Sequence, residues 1–186
     1  GVIGTLCAIE IKRKYPKYKV LLIGDDKRPL SASIGAGAMA NVYAEIENGP
    51  YKDENEARFL KIGLKARQKW LKIFEQLKIS QKVITAEDTI VFLKKNASDF
   101  ETFNYHNMKE VAIKDRKATL LSKRKIKELF PDTYHNIQEA TKLNGEFAIC
   151  TVALFKLFKK LLTKFDINTV NSHVKNIRVQ SKSKFI

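Results

Sequence analysis

The sequence is poor in cysteine, arginine and acid. Cys7 and Cys150 are the two cysteines among 186 residues, and both fall in apolar, helix-like contexts. A chain of this length buries a core without covalent staples, so a disulfide scaffold is excluded and a reduced, cytoplasmic setting is expected. Seven of the 35 basic residues are arginine. Bidentate recognition of bases and phosphates favours the guanidinium group, and here the basic residues are mostly lysines scattered along the chain. The formal charge of +15 therefore reads as a solvated surface, with no nucleic-acid partner expected. A basic, non-enzymatic nucleic-acid-binding module stays open as the alternative class. No uncharged apolar run approaches the roughly 18 residues of a transmembrane helix. C-x-x-C, H-E-x-x-H and Walker A patterns are absent, and His106, His135 and His173 stand apart from cysteine and from each other. Ser31 and Ser33 lie in no G-x-S-x-G elbow, so metal, phosphoryl-transfer and serine-nucleophile chemistry have no support.

What is present begins at the first residue. Gly1-Val2-Ile3-Gly4 opens a segment with Leu6, Ala8, Ile9 and Ile11 that suits a helix. Pro16 interrupts it, Lys19 to Ile23 reads as a buried strand, and Gly24-Asp25-Asp26 follows. Glycine turn, helix, strand and acid form the later part of a dinucleotide-binding βαβ unit. There the glycines bring backbone close to a pyrophosphate, whose charge sits at the helix N-terminus. Gly1 and Gly4 take the places of the second and third glycines of G-x-G-x-x-G. Ala8 is the small residue against the sheet. Asp25 stands 21 residues after Gly4, close to the ~20-residue spacing of the acid that accepts from ribose hydroxyls. The first strand and first glycine are missing, so the chain is expected to start inside the motif. The bland alternative is an ordinary helix–strand element with Asp25 and Asp26 in a turn.

A second unusual stretch is Ser31-Ala32-Ser33-Ile34-Gly35-Ala36-Gly37-Ala38-Met39-Ala40-Asn41. Small residues let backbone approach a bulky planar or anionic ligand. With this segment in place, the sequence resembles the FAD-dependent oxidoreductases of the D-amino-acid oxidase family, which includes glycine and sarcosine oxidases. Members have the Rossmann glycines, an acid after the second strand, then a Ser/Ala/Gly-rich loop ending near Gly-Met. Gly1, Gly4, Asp25 and Ser33 to Met39 fall in that order. Leu121 to Pro131 is similar to the family's helix ending in proline. Gly145 to Ile149 and the helix after it resemble the approach to the third Rossmann strand, placed at Ile167 to Val170. Asn171 to Ile177 is similar to the family's V-x-x-I stretch. Two departures stand out: the family's acid ends the strand directly, where Gly24 stands, and family members are longer, with a later half that supplies most of the substrate pocket.

The middle of the chain reads as a lobe of its own. Asn55 to Lys78 is an amphipathic helix, with Phe59, Ile62, Ala66, Trp70, Ile73 and Leu77 spaced as a buried stripe and lysines opposite. Thr89 to Leu93 is expected as a strand and Glu110 to Ile113 as a second short one, with residues 96–108 as an excursion. Ser122 is placed as the N-cap of a short helix ended by Pro131. Ala153, Leu154, Leu157, Phe158, Leu161 and Leu162 give the last helix a wide apolar face.

The expected fold is α/β: a Rossmann-type FAD-binding domain lacking its first strand, with part of an inserted mixed α/β substrate lobe. The boundaries are 1–50 for the FAD-binding portion, 51–144 for part of the substrate lobe and 145–186 for the return to the FAD-binding domain. The resemblance implies FAD as cofactor and a small-molecule amine or amino acid as substrate, oxidised by hydride transfer to the flavin. It places Gly1 and Gly4 at the pyrophosphate and Asp25 or Asp26 at the ribose. Ser33, Gly37, Ala38 and Met39 fall beside the pyrophosphate and flavin, and Val174 at the adenine. It assigns no catalytic residue within this stretch, so the chain is expected to be a fragment that is inactive alone. A Rossmann unit that binds NAD is the other alternative.

Overall fold

The computed structural model describes residues 1–25, 38–47, 53–78 and 83–176. In chain order the elements are α1 (Val2–Lys14), β1 (Leu21–Ile23), β2 (Met39–Ala40), α2 (Glu54–Gln76) and β3 (Ile84–Lys94). They continue with α3 (Asp99–Lys114), β4 (Ala118–Leu120), α4 (Lys123–Leu129), a 3-10 turn (Tyr134–Asn136), β5 (Ile137–Ile149), α5 (Thr151–Lys164) and β6 (Asn168–Val170). The chain divides into two compact units: Gly1–Ala36 with Thr151–Ile186, and Gly37–Cys150.

The first unit is built on the parallel pair β1 and β6, in register Leu21 to Asn168, Leu22 to Thr169 and Ile23 to Val170. The Gly24 N–H donates to the Val170 carbonyl at 2.9 Å, extending the ladder past the end of β1. α1 and α5 pack against each other. α1 buries Thr5, Ala8 and Ile9, and α5 buries Leu154, Phe158 and Leu161. The three α5 residues recur at spacings of four and three, one stripe of a 3.6-residue period, within the wide face expected from the sequence. Parallel strands joined through a helical crossover are the α/β arrangement anticipated.

The second unit is an antiparallel sheet centred on β5. β3 pairs along its whole length, while β4 and β2 share the opposite edge. The expected strand at Thr89 to Leu93 is thus the middle of an 11-residue strand. Its irregularity is managed locally: Gly145 adopts φ +77, and Asp88 accepts from the Gly145 N–H at 2.9 Å while pairing with Lys142 at 2.8 Å. A register shift in β3 falls beside Asp88. The left-handed backbone at Gly145 is one that a glycine adopts without strain.

The expected strand at Glu110 to Ile113 is instead the last turn of α3. Ser98 and Glu101 form a complete capping box at its start, satisfying two N–H groups that a helix terminus would otherwise leave open. Tyr105, Met108, Val111 and Ala112 then fall on one face and are buried against Tyr43, Ile46, Leu93 and Leu143. The apolar Val111-Ala112-Ile113 triplet mimics a strand only when separated from this longer period.

In α2 the helix is as expected and Trp70, Ile73 and Leu77 of its stripe are half-buried, but the face of its first half is rotated. Phe59 and Ile62 are exposed, while Leu60 and Leu64 pack on the core and Phe74 is buried. Gly63 explains the rotation. A Cβ there would lie 3.0 Å from Val42 Cγ1, so the missing side chain lets the helix backbone close on Val42. Ser122 caps α4 by accepting from the Lys125 N–H, and that helix ends at Phe130, just before Pro131.

Candidate functional site

α1 begins at Gly1 with no side-chain cap and no acidic residue in its first turn, whereas Lys12, Arg13 and Lys14 occupy its last turn. The basic residues complement the negative end of the helix dipole, and the positive end is left without an anionic side chain. The Gly1 carbonyl is satisfied within the helix, accepting from the Thr5 N–H at 3.1 Å and the Thr5 hydroxyl at 3.0 Å. A Cβ on Gly4 would sit 3.8 Å from Leu22 Cδ1, so the first turn of α1 lies against the middle of β1. Asp25 follows that end, half-buried. In parallel α/β sheets ligands bind outside the carboxyl ends of the strands, and helix N-termini there present N–H groups to anions. Gly1, Gly4 and Asp25 all belong to the first unit. Val174 belongs to the same unit, exposed in the extended stretch after β6.

Gly24, which stands where the resembled family carries its acid, has an ordinary backbone, and a Cβ there would meet nothing within 4 Å. The fold does not require a glycine at that position. Asp26, Ser33 and Gly37 lie outside the described residues.

Ala38 and Met39 belong to the second unit. Ala38 has φ +38, a left-handed conformation uncommon outside glycine and costing on the order of 1 kcal/mol. It is held by the Ile149 N–H, which donates to its carbonyl at 3.0 Å. Met39 pairs with Ala148 and Ala40 with Phe147. Met39 keeps 63% of its surface exposed. Asn41 places its amide 3.7 Å from the Met39 sulfur and accepts from the Thr89 hydroxyl at 3.1 Å.

Sequence reasoning missed Glu146. It is fully buried, and its Oε1 accepts from the Val42 N–H at 2.7 Å and from the Tyr43 N–H. The signal was an acid immediately before the apolar run Phe147-Ala148-Ile149. Tyr43 is also buried and donates its hydroxyl to Asp115 at 3.0 Å. Burial first, then that hydrogen bond, raises its phenol well above the usual tyrosine range. Among the described residues there is no cluster of three metal-ligating side chains, and no helix is long and apolar enough to cross a membrane.

The donor set fits a dinucleotide. A helix start without a side-chain cap can take a pyrophosphate, a carboxyl after the strand can accept from ribose hydroxyls, and an exposed valine can lie against a base. No protein-family model and no curated protein matches the sequence. Solved structures do match by shape. Glycine oxidase from Geobacillus kaustophilus superposes with a TM-score of 0.70 at 14% identity, covering 92% of this chain and 44% of that one. The fold is shared with glycine oxidase. The enzyme of that name from Bacillus cereus gives the same TM-score at 16% identity, over 97% of this chain and 46% of that one. L-alpha-glycerophosphate oxidase from Mycoplasma pneumoniae, solved with FAD bound, gives 0.65 at 17% identity, over 92% and 42%. The chain thus spans less than half the length of these structures.

Proposed function

We propose that this chain forms part of an FAD-dependent oxidoreductase that oxidises an amine or amino acid. The reading rests on one arrangement: α1 starts without a side-chain cap, Gly4 lies against Leu22 of β1, Asp25 follows that strand, and β6 pairs with it in parallel. We read that arrangement as a dinucleotide cradle, a reading supported by the glycine, iminodiacetate and glycerophosphate oxidases being among the structures sharing the fold.

In this reading the Gly4 N–H donates to the pyrophosphate, and the glycine at position 1 lets it approach. Asp25 or Asp26 accepts from the ribose hydroxyls, and Val174 lies against the adenine. Ser33, Gly37, Ala38 and Met39 are assigned to the pyrophosphate and flavin. When bound, FAD supplies the redox chemistry, accepting a hydride from the substrate carbon that bears the nitrogen. The residues of this chain bind and orient, and the catalytic groups lie elsewhere, so the chain alone turns over no substrate.

The test is to mix the purified protein with FAD, remove free ligand by gel filtration and read the visible spectrum. A flavin spectrum co-eluting with the protein is expected. Protein that elutes colourless from FAD overturns the reading, and retention of NAD in a parallel run would replace it with a nicotinamide-binding unit. Turnover of an amino acid by the chain alone would refute its inactivity.

A further inference from the structure

We propose that Glu146 is a positioning residue for flavin binding, fixing the backbone that carries Ala38 and Met39. The inference rests on the flavin reading of those two residues. β2 is only two residues long, too short to hold itself by ladder pairing. Its ladder runs out at Ala40, opposite Phe147. Past that point the N–H groups of Val42 and Tyr43 turn inward, and Val42 and Tyr43 are both buried. Glu146, the β5 residue adjoining Phe147, supplies one carboxyl oxygen to both. Its side chain stands in for the strand that the ladder lacks.

The clamp is braced from the other direction. Val42 is wedged against Gly63 of α2, and Asn41 is tied to Thr89 of β3. Met39 is exposed, with its sulfur near the Asn41 amide, and Ala38 is held in its left-handed conformation by the Ile149 N–H. Residues 38–43 are therefore fixed at both ends while the Met39 side chain faces outward. Glu146 Oε2 is buried with no hydrogen-bond partner among the described residues. A buried acceptor without a partner is unfavourable, and a leucine of similar size would avoid that cost. Here the buried carboxyl holds the Val42–Tyr43 backbone that follows Met39 and Ala40. Such an arrangement trades local stability for a defined ligand contact.

The experiment separates reach from charge. Glu146→Gln keeps the Oε1 carbonyl at the same reach, while Glu146→Asp keeps the acid but withdraws it by one methylene. Flavin affinity is measured by fluorescence titration of the full chain well below its melting temperature. E146Q is expected to bind FAD within about three-fold of wild type. E146D is expected to bind at least about ten-fold more weakly, with an altered visible band shape for the bound flavin. In a double-mutant cycle the E146D loss disappears in a Met39→Ala background, because the clamp acts through the segment that presents Met39. Equal affinity for wild type and E146D, or additive losses with M39A, overturns the inference and leaves the flavin reading standing. A wild-type chain that binds no FAD overturns both. A merely structural glutamate would shift the melting temperature without moving the bound-flavin spectrum or coupling to Met39.

Discussion

Gly4 offers the sharpest separation of fold from function. Glycine is the worst ordinary residue in a helix, about 0.8–1 kcal/mol below alanine in the interior, because it has the most backbone freedom to lose. It survives where a side chain cannot fit, and here one can. A Cβ on Gly4 would meet Leu22 Cδ1 at 3.8 Å, an ordinary contact, and the backbone is not in the left-handed region. Gly4→Ala should therefore stabilise the first unit by about 0.5–1 kcal/mol, the lower figure applying because the position is in the first turn. In a chain of this size that is a rise of roughly 1–4 °C in melting temperature.

The proposed role of Gly4 in ligand binding runs through its backbone N–H, which alanine retains. Flavin affinity in G4A should stay within about three-fold of wild type. Gly4→Pro deletes that N–H in the first turn, where proline is tolerated better than anywhere else in a helix. A hydrogen bond to a charged group contributes about 1.5–3 kcal/mol, so G4P should weaken FAD binding by at least about ten-fold. Denaturation and fluorescence titration on the same preparations decide it. A G4A protein that melts lower than wild type refutes the packing argument. Equal flavin affinity for G4A and G4P refutes the placement of the pyrophosphate at the start of α1.

Four further outcomes are expected. Gly63→Ala forces a methyl to 3.0 Å from Val42 Cγ1, so its helix-propensity gain is cancelled or outweighed by overpacking of about 1–3 kcal/mol. In a Val42→Ala background the same change should stabilise by up to about 1 kcal/mol, and urea unfolding of the four proteins reads this directly. Gly24→Glu places the family's acid at the end of β1 in open space. On the flavin reading it should leave melting unchanged and tighten FAD binding in a fluorescence titration. Asp88 is held below the ordinary carboxyl range chiefly by its hydrogen bond from Lys142, then by the Gly145 N–H. Its contribution is therefore present at neutral pH and lost as pH falls from about 5 through the carboxylate range. Asp88→Asn should flatten that part of an acid-unfolding curve and leave its shape above pH 6 unchanged. Ser98→Ala removes the reciprocal cap of α3 and should lower stability by about 1 kcal/mol, seen as a lower denaturation midpoint at unchanged slope.

What the sequence made legible was local, and what it hid depended on contacts distant along the chain. The α1–β1–Asp25 order could be read because each step has its own signal: an apolar helical stripe, a proline break, a β-rich run, an acid at a set spacing. Ser122 and Pro131 bracketed α4 for the same reason. The face of α2 could not be read in this way. Phe59 and Ile62 made a plausible stripe, but Gly63 against Val42 turned the helix so that Leu60 and Leu64 face the core. A glycine in a helix marks a close approach only once the partner, 21 positions earlier in the chain, is known. Val111 to Ile113 looked like a strand because three apolar residues carry no period of their own. The Ser98–Glu101 box upstream had already set a helix in train. Glu146 was hidden for the deepest reason. A strand acid normally faces water, and nothing near it in sequence shows that Val42 and Tyr43 bring two N–H groups to it across more than a hundred residues. The residue that holds the backbone after β2 is thus visible only once the fold brings β2 to β5, and this is why motif reading singled out Ala38 and Met39 and passed over Glu146.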